Sequence, residues 1–271
     1  MKIENVIKKF NQEEIYLCPK CLSESHIEGI SLVCNENHRY DFSKKGYIHL
    51  INNYKPTKYS EDLFKARSEV FSNGFYENVL KNIQNLIGKY AKDVVLDIGC
   101  GEGYYIKKVK TVFPEKYFYG LDNSKDAIEL AVKEDKLNPY TVANLANLPF
   151  KDGSVSCILN ILTPANYEEF FRVLGDGGYL IKVIPNTNYL REIRELIGSK
   201  EYTNSDTVKL IEENCTVVER ITVSDTFQLN KEQAASFLKM TPLTFSKEIT
   251  DSDINQLTEI TIDLELLVCK K

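Results

Sequence analysis

Four side chains able to hold a metal ion lie close together near the start of the chain: Cys18, Cys21, Cys34 and His38. The stretch runs C-P-K-C, then twelve residues, then C-N-E-N-H. Two thiolates at i and i+3 can grip one ion from a tight turn. A Cys-x3-His pair on the returning chain then completes a tetrahedron suited to zinc. A redox Cys-x-x-Cys is the competing reading, but it calls for a strand–helix context and leaves Cys34 and His38 unexplained. His26 is the alternate fourth ligand, at a spacing that matches no usual pair. With four protein ligands no position stays open for water, so the metal is expected to organise the chain and not to catalyse.

A second group of residues surrounds the sequence VVLDIGCGEGYY. Gly99, Gly101 and Gly103 follow an apolar run and open a helical one, the setting for a tight turn whose backbone approaches a ligand. A dinucleotide fingerprint G-x-G-x-x-G needs its third glycine at position 104, which is Tyr104. No Gly-Lys-Ser/Thr follows, so the loop is not a P-loop. Asp97 precedes the turn, Glu102 sits inside it, and Asp122 lies about 20 residues on, where an acid can bind ribose hydroxyls. Acids before, within and after the turn oppose a pyrophosphate and suit a positively charged nucleoside without phosphate, as S-adenosylmethionine is. For Asp122 alone, a helix-capping acid before Ser124 is the plainer alternative.

These groups need elements to hold them. Ile3, Val6, Ile7 and Phe10 recur at helical spacing, so a short amphipathic helix opens the chain. Residues 18–50 form the zinc segment, and 51–60, INNYKPTKYS, read as a linker. Ser60 followed by Glu61 and Asp62 starts a helix carrying Leu63, Phe64, Arg67, Val70 and Phe71, and Asn73-Gly74 stops it. Val79, Leu80, Ile83, Leu86, Ile87 and Tyr90 make another. From residue 94 strands and helices alternate. Strands are predicted at 94–98, 117–121, TVA, 155–162 and 179–184, with helices over 102–113 and 124–134, the second opened by Ser124. That is the pattern of a parallel sheet covered on both faces. Ile260, Ile262, Leu264, Leu266 and Val268 alternate with mostly polar residues, which predicts a half-buried antiparallel strand. The expected division is 1–59, a zinc-binding module with a basic linker, and 60–271, an α/β domain.

Charge and composition narrow the function classes. The 271 residues are 43% hydrophobic and 27% charged, enough to bury a core, with a net charge of −5 that excludes a uniformly basic nucleic-acid coat. No run approaches the roughly 20 apolar residues of a membrane span. The N-terminus lacks an apolar signal segment, so a soluble cytoplasmic protein without a disulfide framework is expected. Cys100, Cys157, Cys215 and Cys269 stand singly among apolar neighbours, as small buried hydrophobes do. Positive charge is local: Arg39, Lys44, Lys45, Lys55 and Lys58 face Asp41 alone within 39–59, net +4, interleaved with Tyr40, Tyr47, Tyr54 and Tyr59. Residues 201–271 carry 7 basic and 13 acidic side chains, net −6. Cations for phosphates and rings for unstacked bases suit a structured RNA loop, and a solvated linker is the plainer alternative.

The combined motifs resemble the 23S rRNA (guanine-N1-)-methyltransferase family. The resemblance rests on C-P-x-C with C-x-x-x-H, YDFSKKGYIHL, Ala66-Arg67, Gly74-Phe75-Tyr76, LDIGCGEGYY, LPF (148–150), Pro164, GDGG (175–178) and KMTP (239–242). It implies a Rossmann-like class I methyltransferase sheet behind an N-terminal zinc-binding module. It also implies methyl transfer from S-adenosylmethionine to guanine N1 in a hairpin loop of 23S rRNA. Carried onto this chain, the family's pattern puts zinc at Cys18, Cys21, Cys34 and His38, and cofactor contacts at Tyr76, Glu102, Gly103 and Tyr189. Many members have histidine where this chain has Tyr189, and Gly-Asp where it has Lys58-Tyr59. LNILTP resembles the branch that modifies a neighbouring guanine.

In-line transfer from a sulfonium needs geometry more than a nucleophile. The target base belongs at the carboxyl ends of the strands, beside Asn160-Ile-Leu-Thr163-Pro164. Asn160 is the candidate for base positioning, against the alternative of a strand-terminal turn residue. No N-P-P-Tyr/Phe stretch points to an exocyclic amine, and no Pro-Cys to pyrimidine C5. Two further functions stay open: methylation of another RNA or a small molecule, and a non-catalytic zinc-dependent RNA-binding module. The oligomeric state is open as well, a homodimer included.

Overall fold

The computed structural model describes residues 2–12, 14–52, 54–56, 58–199 and 202–271, so Asn53 and Thr57 of the linker lie outside the described residues. The chain opens with helix α1 (Ile3–Phe10) and a three-stranded antiparallel sheet, β1 (Ser25–Glu28), β2 (Ser31–Cys34) and β3 (Arg39–Asp41). A short strand β4 (Tyr47–His49) follows, then helices α2 (Glu61–Ser72) and α3 (Glu77–Tyr90). Next comes the alternating run: β5 (Val94–Ile98), α4 (Tyr104–Val112), β6 (Tyr117–Asp122), α5 (Lys125–Glu134), β7 (Tyr140–Val142), β8 (Val155–Ile161), α6 (Tyr167–Val173) and β9 (Leu174–Pro185). The last third holds α7 (Arg191–Leu196), α8 (Ser205–Asn214), β10 (Thr216–Gln228), α9 (Lys231–Met240), α10 (Asp251–Gln256) and β11 (Glu259–Lys270).

Among the described residues, an eight-stranded sheet runs in the order β10-β11-β9-β8-β5-β6-β7-β4. Strands β4 to β9 pair in parallel, and β11 and β10 close one edge antiparallel. The order steps from β5 to β8 on one side and to β6 on the other. The carboxyl end of β5 is thus the crevice where open α/β sheets bind ligands. Local chemistry sets the helix ends as the sequence predicts. Ser60 Oγ accepts from the Leu63 amide and Ser124 Oγ from the Ala127 amide. Gly74, at φ 83°, turns the chain after α2.

Two features depart from the sequence reading. Tyr47–His49, read as part of the zinc segment, hydrogen-bonds in register with Tyr140–Val142 and forms the edge of the large sheet. The N-terminal segment is fastened at further points. Leu17 N donates to Pro149 O at 3.0 Å, Lys151 N to Ile15 O at 2.8 Å, and the buried Lys9 Nζ to Asn138 O at 2.9 Å. Phe10, Tyr16, Phe42 and Ile48 share one apolar cluster with Tyr119, Leu121 and Phe150. The sheet therefore crosses the division expected at 59/60. The second departure is β11, buried along nearly its whole length and not half-buried. It lies between β9 and β10, and its polar positions are satisfied. Glu265 accepts from Arg220 Nη1 at 2.9 Å, and Asp263 accepts from the Asn188 amide at 3.0 Å.

Candidate functional site

Cys18, Cys21, Cys34 and His38 converge, with all four donor atoms within 4.8 Å of one another. Cys18 Sγ and Cys34 Sγ lie 3.5 and 3.4 Å from His38 Nδ1, and Cys21 Sγ lies 3.7 Å from Cys34 Sγ. A zinc tetrahedron has edges of about 3.8 Å between sulfurs and about 3.5 Å between sulfur and nitrogen, so the donors fit the ion. Two turns present them. Leu22, at φ 58°, donates to Cys18 O, and Asn37, at φ 59°, donates to Cys34 O. Such left-handed turns at non-glycine residues cost about 1–2 kcal/mol each and persist where a fixed ligand geometry holds them. The Ser23 hydroxyl and amide bring the Cys21 thiol down to about 6, toward the thiolate that a metal requires. His26 stands apart, exposed on β1.

The second site gathers around the end of β5. Gly99, Gly101 and Gly103 all have positive φ. Two of them are required by neighbouring side chains. A Cβ on Gly99 would stand 2.5 Å from the Thr163 side chain, and one on Gly103 would stand 2.5 Å from the Tyr140 hydroxyl. The glycines thus draw the loop against protein as well as toward a ligand. Asp122 ties the loop to β6: Gly101 N donates to its Oδ2 at 2.9 Å and Ser124 N to its Oδ1 at 2.8 Å. The capping role and the loop role belong to one carboxylate, which keeps lone pairs for further donors.

Asp97 and Glu102 are 1% and 6% exposed; among the described residues no hydrogen bond reaches their carboxylate oxygens, and Glu102 alone faces a cation, Arg67. Burial, reinforced by the charge of Asp122, pushes the Asp97 carboxyl up to about 8. Burial also raises Glu102, against the pull of Arg67. Orphaned buried carboxylates are rare and mark places where a partner belongs. The donor set fits a cationic nucleoside, with acids at the floor and the loop and no lysine at the turn.

Arg67, on α2, is the residue that sequence reasoning passed over. Its Nε lies 3.5 Å from Glu102 Oε1, its guanidinium packs over the Phe71 ring at 5.2 Å, and its Nη1 stands 3.7 Å from where a Gly101 Cβ would be. Burial works against its charge, and Glu102 with the surrounding tyrosines more than offsets that. Only the Ala66-Arg67 match in the motif series signalled it. Tyr76 and Tyr189, 113 residues apart, meet hydroxyl to hydroxyl at 2.7 Å, and the buried Tyr105 hydroxyl has no hydrogen-bond partner among the described residues.

Across from the glycine loop, Leu162 takes φ 54° and turns Thr163 against Gly99. Asn160 lies within β8, not in a turn. Its Nδ2 donates to Ile98 O at 3.0 Å and to Pro164 O at 3.4 Å, and its Oδ1 is buried without a partner. Lys182, its register partner on β9, donates from Nζ to Thr163 O at 2.6 Å, and burial lowers it to about 8. The basic stretch 39–59 is partly offset, since Arg39 pairs with Glu28 and Lys45 with Glu129. No helix among the described residues is long and apolar enough to cross a membrane.

Comparison with known proteins gives the family. Residues 95–178 match the methyltransferase domain model, and residues 16–55 match the zinc-ribbon model described as RlmA, N-terminal. The Bacillus subtilis protein YxjB, provisionally named a 23S rRNA (guanine-N1-)-methyltransferase, is 31% identical over 95% of this chain and 97% of its own length. The 23S rRNA (guanine(748)-N1)-methyltransferase of Streptomyces fradiae is 25% identical over 93% of this chain and 95% of its own. A methyltransferase chain solved with the Haloferax volcanii Trm112 activator shares the fold. It has 17% identity and a TM-score of 0.51, over 77% of this chain and 94% of that one. With a zinc ribbon and a methyltransferase sheet that match these relatives along nearly their whole length, the chain belongs to the 23S rRNA (guanine-N1-)-methyltransferase family.

Proposed function

We propose that this protein transfers a methyl group from S-adenosylmethionine to N1 of a guanine in 23S rRNA. The observation that carries the reading is the buried Asp97 carboxylate, without a hydrogen bond among the described residues, beside Glu102 at the glycine turn of a sheet built onto a four-ligand zinc ribbon. S-adenosylmethionine, when bound, supplies a methyl carbon on a sulfonium, so the C–S bond breaks as the N1–C bond forms. Asp122 would accept from the ribose hydroxyls, while the turn at Gly99–Gly103 lines the nucleoside. Asp97 and Glu102 would meet the amino and sulfonium end, and Tyr76 with Tyr189 would close the side wall. Because Arg67 lies over Glu102, a ligand reaching that carboxylate moves the Arg67 side chain.

The target guanine enters over the 162–164 loop. Asn160 and Lys182 hold this loop in place, so Asn160, itself fully buried, would position the base through the loop. Water is the acceptor we assign for the N1 proton, since the loop carries no acidic or imidazole side chain. A paired guanine hides N1, so the base is splayed from a hairpin loop before reaction. Zinc at Cys18, Cys21, Cys34 and His38 shapes the ribbon that carries the RNA-facing surface. Incubating the full chain with methyl-labelled S-adenosylmethionine and deproteinised 23S rRNA tests this. Label on the RNA supports the proposal, and transfer only to a metabolite overturns it.

A further inference from the structure

Tyr59 and Phe245, from distant parts of the chain, meet at one spot on the surface. Their ring centroids lie 5.9 Å apart, tilted by 58°. Tyr59 also meets Phe64, centroid to centroid at 6.3 Å. Phe64 is buried, and its Cε1 lies 3.7 Å from where a Gly101 Cβ would stand. An aromatic row therefore runs from the glycine loop outward to solvent, where Tyr59 is 41% and Phe245 49% exposed.

Phe245 sits on hydrogen-bonded backbone, and Tyr59 at a helix start. Phe245 follows the tight turn Pro242–Thr244, which the buried Thr244 hydroxyl pins by donating to Leu238 O at 2.8 Å and to Thr241 O at 3.0 Å. Tyr59 immediately precedes Ser60, the cap of α2. Large rings held half in water on a pinned scaffold cost free energy that a covering partner recovers. Lys55 and Lys58 are exposed on the same segment, while the nearby Glu61 and Asp62 face Lys65 at 2.9 and 3.8 Å.

We propose that Tyr59 and Phe245 form a stacking step for an unpaired base flanking the target guanine. Any base offers a π-face to such a step, and the adjacent lysines meet its phosphates. The inference rests on the RNA methyltransferase reading above and adds to it a subsite outside the reacting pocket. The row ties the surface step to the glycine loop through Phe64.

The test uses the full zinc-loaded chain with deproteinised 23S rRNA, comparing wild type with Tyr59→Ala, Phe245→Ala, their double variant and Tyr59→Phe. Stacking predicts that each alanine raises the KM for rRNA about fivefold to tenfold, with kcat nearly unchanged and Tyr59→Phe like wild type. Affinity for S-adenosylmethionine, read by calorimetry, stays at the wild-type value. Leucine at both positions keeps apolar bulk without the π-face, and serves if the alanine variants do not fold. A double variant with the wild-type KM overturns the stacking step alone, and so does a loss of cofactor affinity in step with KM. A wild-type chain that methylates no rRNA overturns the functional reading and the step with it.

Discussion

Asp97 is almost fully buried with no hydrogen bond among the described residues, and its carboxyl is pushed up to about 8. In the unfolded chain the same group titrates near its ordinary value of about 4. The folded form therefore binds the extra proton between those values, and stability must fall as pH rises from about 4 to about 8, by at most about 1.4 kcal/mol per pH unit from this group. Asp97→Asn is expected to flatten that slope in urea titrations of the ligand-free protein. An unchanged slope would place the proton elsewhere. Gly103 makes a steric prediction. A methyl group there meets the Tyr140 hydroxyl at 2.5 Å, with φ at 77° and the ring tethered to Asp135 at 2.9 Å. Gly103→Ala should cost about 2–4 kcal/mol of stability by urea unfolding, from overpacking and backbone strain together. A loss under about 1 kcal/mol would show that the ring gives way.

At the scale of elements, the ribbon and the large sheet are one mechanical unit, because β4 pairs with β7 directly after the ribbon's last strand. Cys18→Ser should remove about one zinc per chain, speed hydrogen exchange in 25–41 and at Tyr47–His49, and weaken rRNA binding. Metal analysis, exchange mass spectrometry and an rRNA-binding titration read the three effects, and a metal-free variant with native protection and RNA affinity would contradict the role given to zinc. Much of this element level was legible in the chain itself. Ser60, Ser124 and Asn73-Gly74 act through bonds within a few residues, so their effect is local and readable. The ligand set was legible for the same reason, as spacing alone brings two turns together. Strand β4 was not, since three residues carry no usable period and their partner lies 93 positions away at Tyr140. Arg67 was hidden too: its helix is apparent from spacing, but which loop it covers is decided by packing. The alternation of β11 was read correctly as a strand, yet its burial depends on Arg220 and Asn188 from other elements.

The whole molecule divides its charge between two ends of the chain. Residues 39–59 carry net +4 and residues 201–271 net −6, although Phe245 of the acidic stretch packs on Tyr59 of the basic one, and Arg39 and Lys45 pair with Glu28 and Glu129. The basic stretch holds the last ribbon strand, the linker lysines and Tyr59, and it leads into α2, whose Arg67 reaches Glu102 at the glycine loop. Nucleoside mass spectrometry of 23S rRNA methylated by the purified chain tests the central claim most directly. The account predicts 1-methylguanosine as the sole new methylated nucleoside, formed only with S-adenosylmethionine present. Methylation at any other base atom, or none on the RNA, would contradict it.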